Sequence, residues 1–186
     1  KVRRKDTQPD PTNQTPILFE AIFTEAVIGF DDPGDVDLSA STAPGAAAAI
    51  TSDGPEGTDY TVSVSGMTAS GDVKLQIPEG AATDLAGNPS PALGVNANRT
   101  VTYDIDKPEV EITTASNPTN SSPFVVTITF SEDVSTMVLG DMDVTGPYTD
   151  LNLVENPDKT YTLTVTPSTD GIYSISVPAD VVEDDA

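Results

Sequence analysis

Carboxylates are the one kind of reactive side chain this sequence has in quantity: 30 Asp and Glu stand against 8 Lys and Arg, with no His and no Cys. That excludes thiol nucleophiles, His-containing triads, zinc fingers, disulfide frameworks and the usual haem ligands. Any metal bound by the protein must be bound through oxygen. The carboxylates that recur in suggestive groups are Asp104 and Asp106, flanking Ile105; Glu132 with Asp133; and Glu183 with Asp184. A second tier comprises Glu25 and Asp84 with Asn88. Calcium takes about six to eight oxygens at about 2.3–2.6 Å from flexible carboxylates and carbonyls, which such groups could supply. The pairs Asp35/Asp37 and Asp141/Asp143 are expected on one strand face, solvated, with Val36 and Met142 turned inward. Paired carboxylates can also hydrolyse glycosidic bonds, but that chemistry needs a cleft with a sugar platform. With no Trp, 5 Phe and 5 Tyr, the chain offers little for sugar stacking, and an enzyme is not expected.

The elements that must position these groups are strands. Sixteen Pro and 13 Gly, scattered among Thr, Ser and Val, argue against long helices, because Pro breaks the hydrogen-bond ladder and β-branched side chains lose rotamer freedom in a helix. Segments such as Phe124 to Phe130, Tyr161 to Val165 and Ile172 to Val177 alternate apolar and polar residues, the period of a half-buried strand. In the N-terminal part, Ile17 to Phe23, Tyr60 to Val64, Val73 to Ile77 and Arg99 to Tyr103 do the same. The formal charge of −22 repels phosphate backbones and anionic lipid heads, so neither nucleic acid nor a membrane surface is an expected partner.

An internal repeat organises the chain. Pro11-Thr12-Asn13 with Pro16 returns, in the same spacing, as Pro118-Thr119-Asn120 with Pro123, and Phe23-Thr24-Glu25-Ala26-Val27 returns in register as Phe130-Ser131-Glu132-Asp133-Val134. After a one-residue deletion, Gly34 to Leu38 answers to Gly140 to Val144. Tyr60 to Val64 then answers to Tyr161 to Val165, and Gly71 through Asp84 to Gly171 through Asp184. Ordered matches across the whole length predict two copies of one all-β domain, residues 1–104 and 105–186, each a sandwich. The expected cores hold Phe23, Val62, Val64, Leu75 and Ile77 in the first copy, and Phe130, Leu163, Val165, Ile175 and Val177 in the second. Asp84 precedes a strand at Arg99 to Tyr103, whereas the sequence ends at Ala186, so the second sandwich is expected to lack its last strand as it stands. The strand near Ile172 to Val177 would then present an open edge.

Phe130-Ser131-Glu132-Asp133-Val134, Val177-Pro178-Ala179, Asp84-Leu85-Ala86-Gly87-Asn88, and Val101-Thr102-Tyr103-Asp104 leading to Asp106-Lys107-Pro108 together resemble the bacterial Ig-like repeats of large extracellular adhesins and biofilm-associated surface proteins. The resemblance implies two tandem Ig-like β-sandwiches, outside the cell or on its surface, acting as a spacer often rigidified by calcium. One departure is the basic Lys1-Val2-Arg3-Arg4-Lys5, which stands where the family has an alternating first strand.

Alternating strand direction in tandem sandwiches predicts that Asp104 and Asp106, Glu132 with Asp133, and Glu183 with Asp184 meet at one pole of the second copy. Two readings stay open for them, shared calcium ligands or solvated turns that bond to nearby amides. The first copy has Glu25, Asp84 and Asn88 at the matching pole, with Asp6 and a basic stretch upstream. Lys74 alternates with Val73 and Leu75 and should point outward, which argues against an isopeptide crosslink. The glycosylation-type triplets starting at Asn13, Asn98 and Asn120 are commonplace in so Thr- and Ser-rich a chain. The expected function is a structural extender whose partners are neighbouring repeats. The alternatives are a module binding a cell-surface glycan or protein, with Tyr148 as its one obvious contact, and an accessory domain pair of an extracellular enzyme.

Overall fold

The computed structural model describes the whole chain apart from Glu56, Asp158, Lys159 and Asp185. The described residues form strands, turns and three short 3₁₀ turns, without an α-helix. They divide into two units, Lys1–Asp106 and Lys107–Asp185.

The first unit contains β1 (Val2–Arg4), β2 (Ile17–Ile22), β3 (Val27–Ile28), β4 (Ala47–Ser52), β5 (Asp59–Ser65), β6 (Gly71–Lys74), β7 (Thr83–Asp84) and β8 (Thr100–Tyr103). One sheet runs β1-β2-β5-β4, antiparallel throughout. The facing layer is built on the antiparallel pair β6-β8, extended by a parallel bridge from Thr12 to Tyr103 and an antiparallel one from Asp37 to Gln76. Alternation decides what lies between them. Ile17, Phe19 and Ala21 of β2 and Val62 and Val64 of β5 turn inward and are fully buried, meeting Val73, Leu75 and Val101 from the other layer. Phe23 packs at the edge of this core, half-buried, with its ring edge-on to Phe30 and Tyr60 at 5.2 and 5.8 Å.

The basic N-terminal stretch is a strand after all. Val2 pairs with Ala21 and its side chain is buried, while Arg3 turns outward to ion-pair with Glu20 and Asp6, and Arg4 pairs with Asp10. One buried apolar side chain beside two arginines that each find a carboxylate suffices for an edge strand, and charge on an edge discourages pairing with other chains.

The second unit contains β9 (Val110–Thr114), β10 (Phe124–Phe130), β11 (Asp143–Thr145), β12 (Tyr148–Glu155), β13 (Tyr161–Pro167) and β14 (Ser174–Ser176). Its main sheet runs β12-β13-β10-β9, and β11 pairs with β14 in a second layer. Val126, Ile128, Leu163 and Val165 are buried, with Phe124, Phe130, Ile175 and Val177 packed around them.

The paired strands of the two units share one register. Ile17, Phe19 and Ala21 lie opposite Val64, Val62 and Tyr60; at the matching positions Phe124, Val126 and Ile128 lie opposite Val165, Leu163 and Tyr161. The bridge from Asp37 to Gln76 becomes the pair Asp143 to Ser176, and the pair Val27 to Asp84 becomes the bridge Val134 to Asp184. Four cis X-Pro bonds, at Pro11, Pro16, Pro118 and Pro123, occupy the same two positions of each copy. What has no counterpart among the described residues of the second unit is β8.

Candidate functional site

The predicted carboxylates are distributed over both units, and local backbone structure explains most of them. Asp104 follows β8. Its Oδ1 accepts a hydrogen bond from Ser70 Oγ at 3.0 Å and from the Asp106 amide at 3.1 Å, and Ser70 Oγ in turn accepts from the Ile105 amide at 2.9 Å. Ser70 thereby ties residues 104 to 106 to the first unit, and the division between units falls after Asp106. Asp106 itself is exposed.

Glu132 and Asp133 occupy the turn after β10, Glu132 half-buried and Asp133 exposed. In the same unit the Val134 to Asp184 bridge, the Ser135 amide donating to the Glu183 carbonyl at 2.7 Å, and the Glu183 amide donating to Ser135 Oγ at 3.1 Å lay this turn beside Glu183 and Asp184. The sequence-predicted meeting of these two segments is therefore found at the level of the backbone. Among the described residues, however, no three carboxylates stand close enough together to hold a metal ion.

Of the second tier, Asp84 and Asn88 close a turn together. Asp84 Oδ1 accepts from the amides of Ala86 and Asn88 at 2.8 Å each, and its Oδ2 accepts from Asn88 Nδ2 at 2.7 Å, closing the Asp84-to-Asn88 turn upon itself. The Asn88 side chain and amide hold the Asp84 carboxyl below its ordinary value. Both groups spend their polar atoms on one another and on the turn. Glu25 lies exposed between β2 and β3.

Of the Asp35/Asp37 and Asp141/Asp143 pairs, Asp143 opens β11 and is exposed as expected, whereas Asp35 and Asp141 depart from a strand face. Asp35 and Asp141 close 3₁₀ turns, Asp35 accepting from the amides of Asp31 and Asp32 at 3.0 and 2.8 Å and Asp141 from that of Val138 at 2.7 Å. Asp37 accepts from the Ser39 amide at 2.7 Å, and this bond with the Ser39 hydroxyl lowers its pKa. Val36 and Met142 are buried as expected. Sequence alternation missed the turns because a carboxylate that reaches back to its own backbone leaves the same spacing as one on a strand.

Lys74 is ion-paired with Asp72 at 3.0 Å. Tyr148 opens β12, 40% exposed, beside Pro147. A feature absent from the sequence reading is Tyr173, whose hydroxyl donates within reach of two carbonyls, Pro147 at 2.8 Å and Thr169 at 2.9 Å, while its ring meets Phe124 edge-on at 5.2 Å. The signal available was Gly146-Pro147, a turn needing an anchor.

Each unit stacks two sheet layers, and the main sheets of the two share one register. Residues 104–186 match the family model described as a bacterial Ig-like domain. The C-terminal half carries one bacterial Ig-like domain. No curated protein and no solved structure matches the chain. The all-β architecture, with its two groups of sheets, is that of two tandem Ig-like sandwiches.

Proposed function

We propose that this pair of Ig-like units is a structural extender within a larger bacterial surface or secreted protein, with no catalytic role, and that its partners are neighbouring repeats. The observation that carries the reading is the shared register of the paired strands in two units, the construction of proteins that gain reach by adding copies. It is supported by the fate of the carboxylates, since Asp35, Asp37, Asp84, Asp104 and Asp141 are occupied with backbone amides in their own turns. A catalytic pair would instead face a substrate cleft. Small-angle scattering from chains carrying the 186-residue sequence once, twice and three times over should show a maximum dimension rising in proportion to copy number. A dimension that stays flat would refute the extender.

The finer part of the proposal is that calcium stiffens the extender. Its support is the spacing of Asp104, Asp106, Glu132, Asp133, Glu183 and Asp184 in the sequence, together with the Val134 to Asp184 bridge that brings the turn carrying Glu132 and Asp133 near the segment carrying Glu183 and Asp184. Extracellular calcium modules bind with Kd of order 10⁻⁴–10⁻³ M, so titration calorimetry at millimolar calcium should detect binding that Asp106→Ala weakens. Absence of heat, or an Asp106→Ala chain that binds like the parent, would reduce these carboxylates to solvated turns.

A further inference from the structure

The two units make different surfaces of the same sheet face. In the first unit, the side of the β1-β2-β5-β4 sheet turned away from the core carries Arg3, Glu20 and Asp59, and Arg3 pairs with Glu20. Lys5 and Asp53 close over Thr61, which is buried: Lys5 Nζ donates to the Thr61 hydroxyl at 2.7 Å, and that hydroxyl donates to Asp53 at 2.7 Å. The shared register puts Thr113 at the position of Arg3, Thr127 at that of Glu20, Thr160 at that of Asp59 and Asn156 at that of Asp53. Asn156 keeps the polar contact without the charge, its Nδ2 donating to Thr162 Oγ1 at 3.0 Å.

The outcome is a neutral four-strand face. Val154, Thr162, Thr127 and Thr113 stand in one row across β12, β13, β10 and β9, with Thr164 beside Val125 in the next. Within the paired strands only Glu111 and Asp150, at diagonal corners, carry charge on this side. Val125 and Val154 are 47% and 48% exposed. Between chains of charge −22, repulsion is weakest where faces without carboxylates meet. Threonine suits such a meeting, because its hydroxyl both donates and accepts, so facing rows can satisfy one another, and its methyl group adds apolar contact. A flat face is not the concave pocket that a small ligand needs, and none of these residues is aromatic, which counts against a sugar.

We propose that this face of the second unit is a contact for the same face of a second copy of the chain, the two sheets stacked with Thr127 and Thr162 at the centre. At about 3.4 Å per residue and about 4.8 Å per strand, the face is about 20 Å long and about 14 Å wide. It therefore buries roughly 300–400 Å² on each copy, under half of the ~800 Å² per partner of a standard stable interface, so the dimer is weak and reversible. The first unit is barred from the same contact by the ion pairs that cover its face. Neither the extender reading nor calcium enters this contact, so the scattering and calcium tests can fail without touching it.

The test is sedimentation equilibrium of the full chain up to millimolar concentration. Raising sodium chloride from about 0.1 to 1 M, which shortens the screening length from about 10 to 3 Å, should lower the dimer Kd severalfold, whereas a contact made of ion pairs would weaken. Val125→Lys and Thr127→Glu put charges of opposite sign on the face, and each should raise Kd about tenfold or more, because a charge buried without a partner is costly. Val138→Lys makes the same change in net charge as Val125→Lys at a 55% exposed residue in the turn before β11, and should not weaken the dimer. Thr127→Glu copies the residue that the first unit holds at that position, and the melting temperature of each variant separates a lost contact from a lost fold. In methyl NMR, the shifts that move with concentration should be those of Val125, Val154, Thr127 and Thr164. A chain that stays monomeric at both salt levels would overturn the proposal. So would a folded Val125→Lys chain that dimerises as Val138→Lys does, or concentration-dependent shifts centred elsewhere, as at the 91% exposed Ile172.

Discussion

At the level of single residues, the acidic composition does work that is mostly local. Asp84 shows it best, with three hydrogen bonds closing one turn. Its folded pKa lies below the ordinary 3.8, so its contribution to stability is complete above 3.8 and is lost as pH falls through the lower folded value. Asp84→Ala should lower the melting temperature of the first unit at neutral pH, and the difference from the parent should shrink in an acid series taken below pH 3.8, followed by circular dichroism. A constant difference across that series would mean that the turn does not depend on the charge. Gly146 tests the other side of residue-scale fit. It sits at φ +127, and a Cβ there would stand 2.6 Å from the Tyr173 ring. Gly146→Ala should force Tyr173 off the Pro147 carbonyl and cost the second unit about 1–3 kcal/mol in denaturant titration. Gly140→Ala, where a Cβ meets nothing within 4 Å, should stay within about 0.5 kcal/mol.

At the level of elements, each sheet is held by alternation, and the inward side chains of β2 and β5, or β10 and β13, carry the energy. Phe19 is fully buried at the centre of β2. Phe19→Ala should cost the first unit about 3–5 kcal/mol, and Leu163→Ala, in β13, the second unit about 2–5 kcal/mol. Each change should move one calorimetric transition and leave the other in place; a change that moved both would show that the units do not fold separately. The aromatic cluster shows how the repeat accommodates substitution. Phe30 stands edge-on to Tyr60 at 5.2 Å, and Met137 replaces it at the matching position, its amide donating to the Tyr161 hydroxyl at 3.2 Å. A flexible thioether fills the volume of a ring without its fixed geometry.

For the whole molecule, the two units are unequal. Among the described residues, nineteen buried apolar ones make the core of the first and eight that of the second, so calorimetry should show the second unit melting first. A charge of −22 also repels itself, and raising sodium chloride from about 0.1 to 1 M, which shortens the screening length from about 10 to 3 Å, should raise both transitions. Transitions indifferent to salt would mean that the local amide bonds already neutralise the field.

The all-β class, the repeat and the inward residues Val62, Val64, Leu163 and Val165 were legible in the sequence alone. Period-two alternation is a local property of the strand, and in-register repetition needs no knowledge of what touches what. That the turn after β10 lies near residues 183 to 184 was also legible, because alternating strand direction determines which turns share an end. The sequence did not determine whether Lys1 to Lys5 could be a strand, since that required Glu20, Asp6 and Asp10 to be within reach of its arginines. Nor did it determine where each carboxylate points. Asp35 and Asp37 have the spacing of a strand face, yet they close turns, because a short acidic side chain near a free amide bonds to it before it can reach a distant ion. Tertiary structure alone decided that Tyr173 anchors the turn at Pro147, and that Ile175 and Val177 stay half-covered where Leu75 and Ile77 are buried. Burial depends on the neighbouring strand, and alternation along one strand carries no information about whether that neighbour is there.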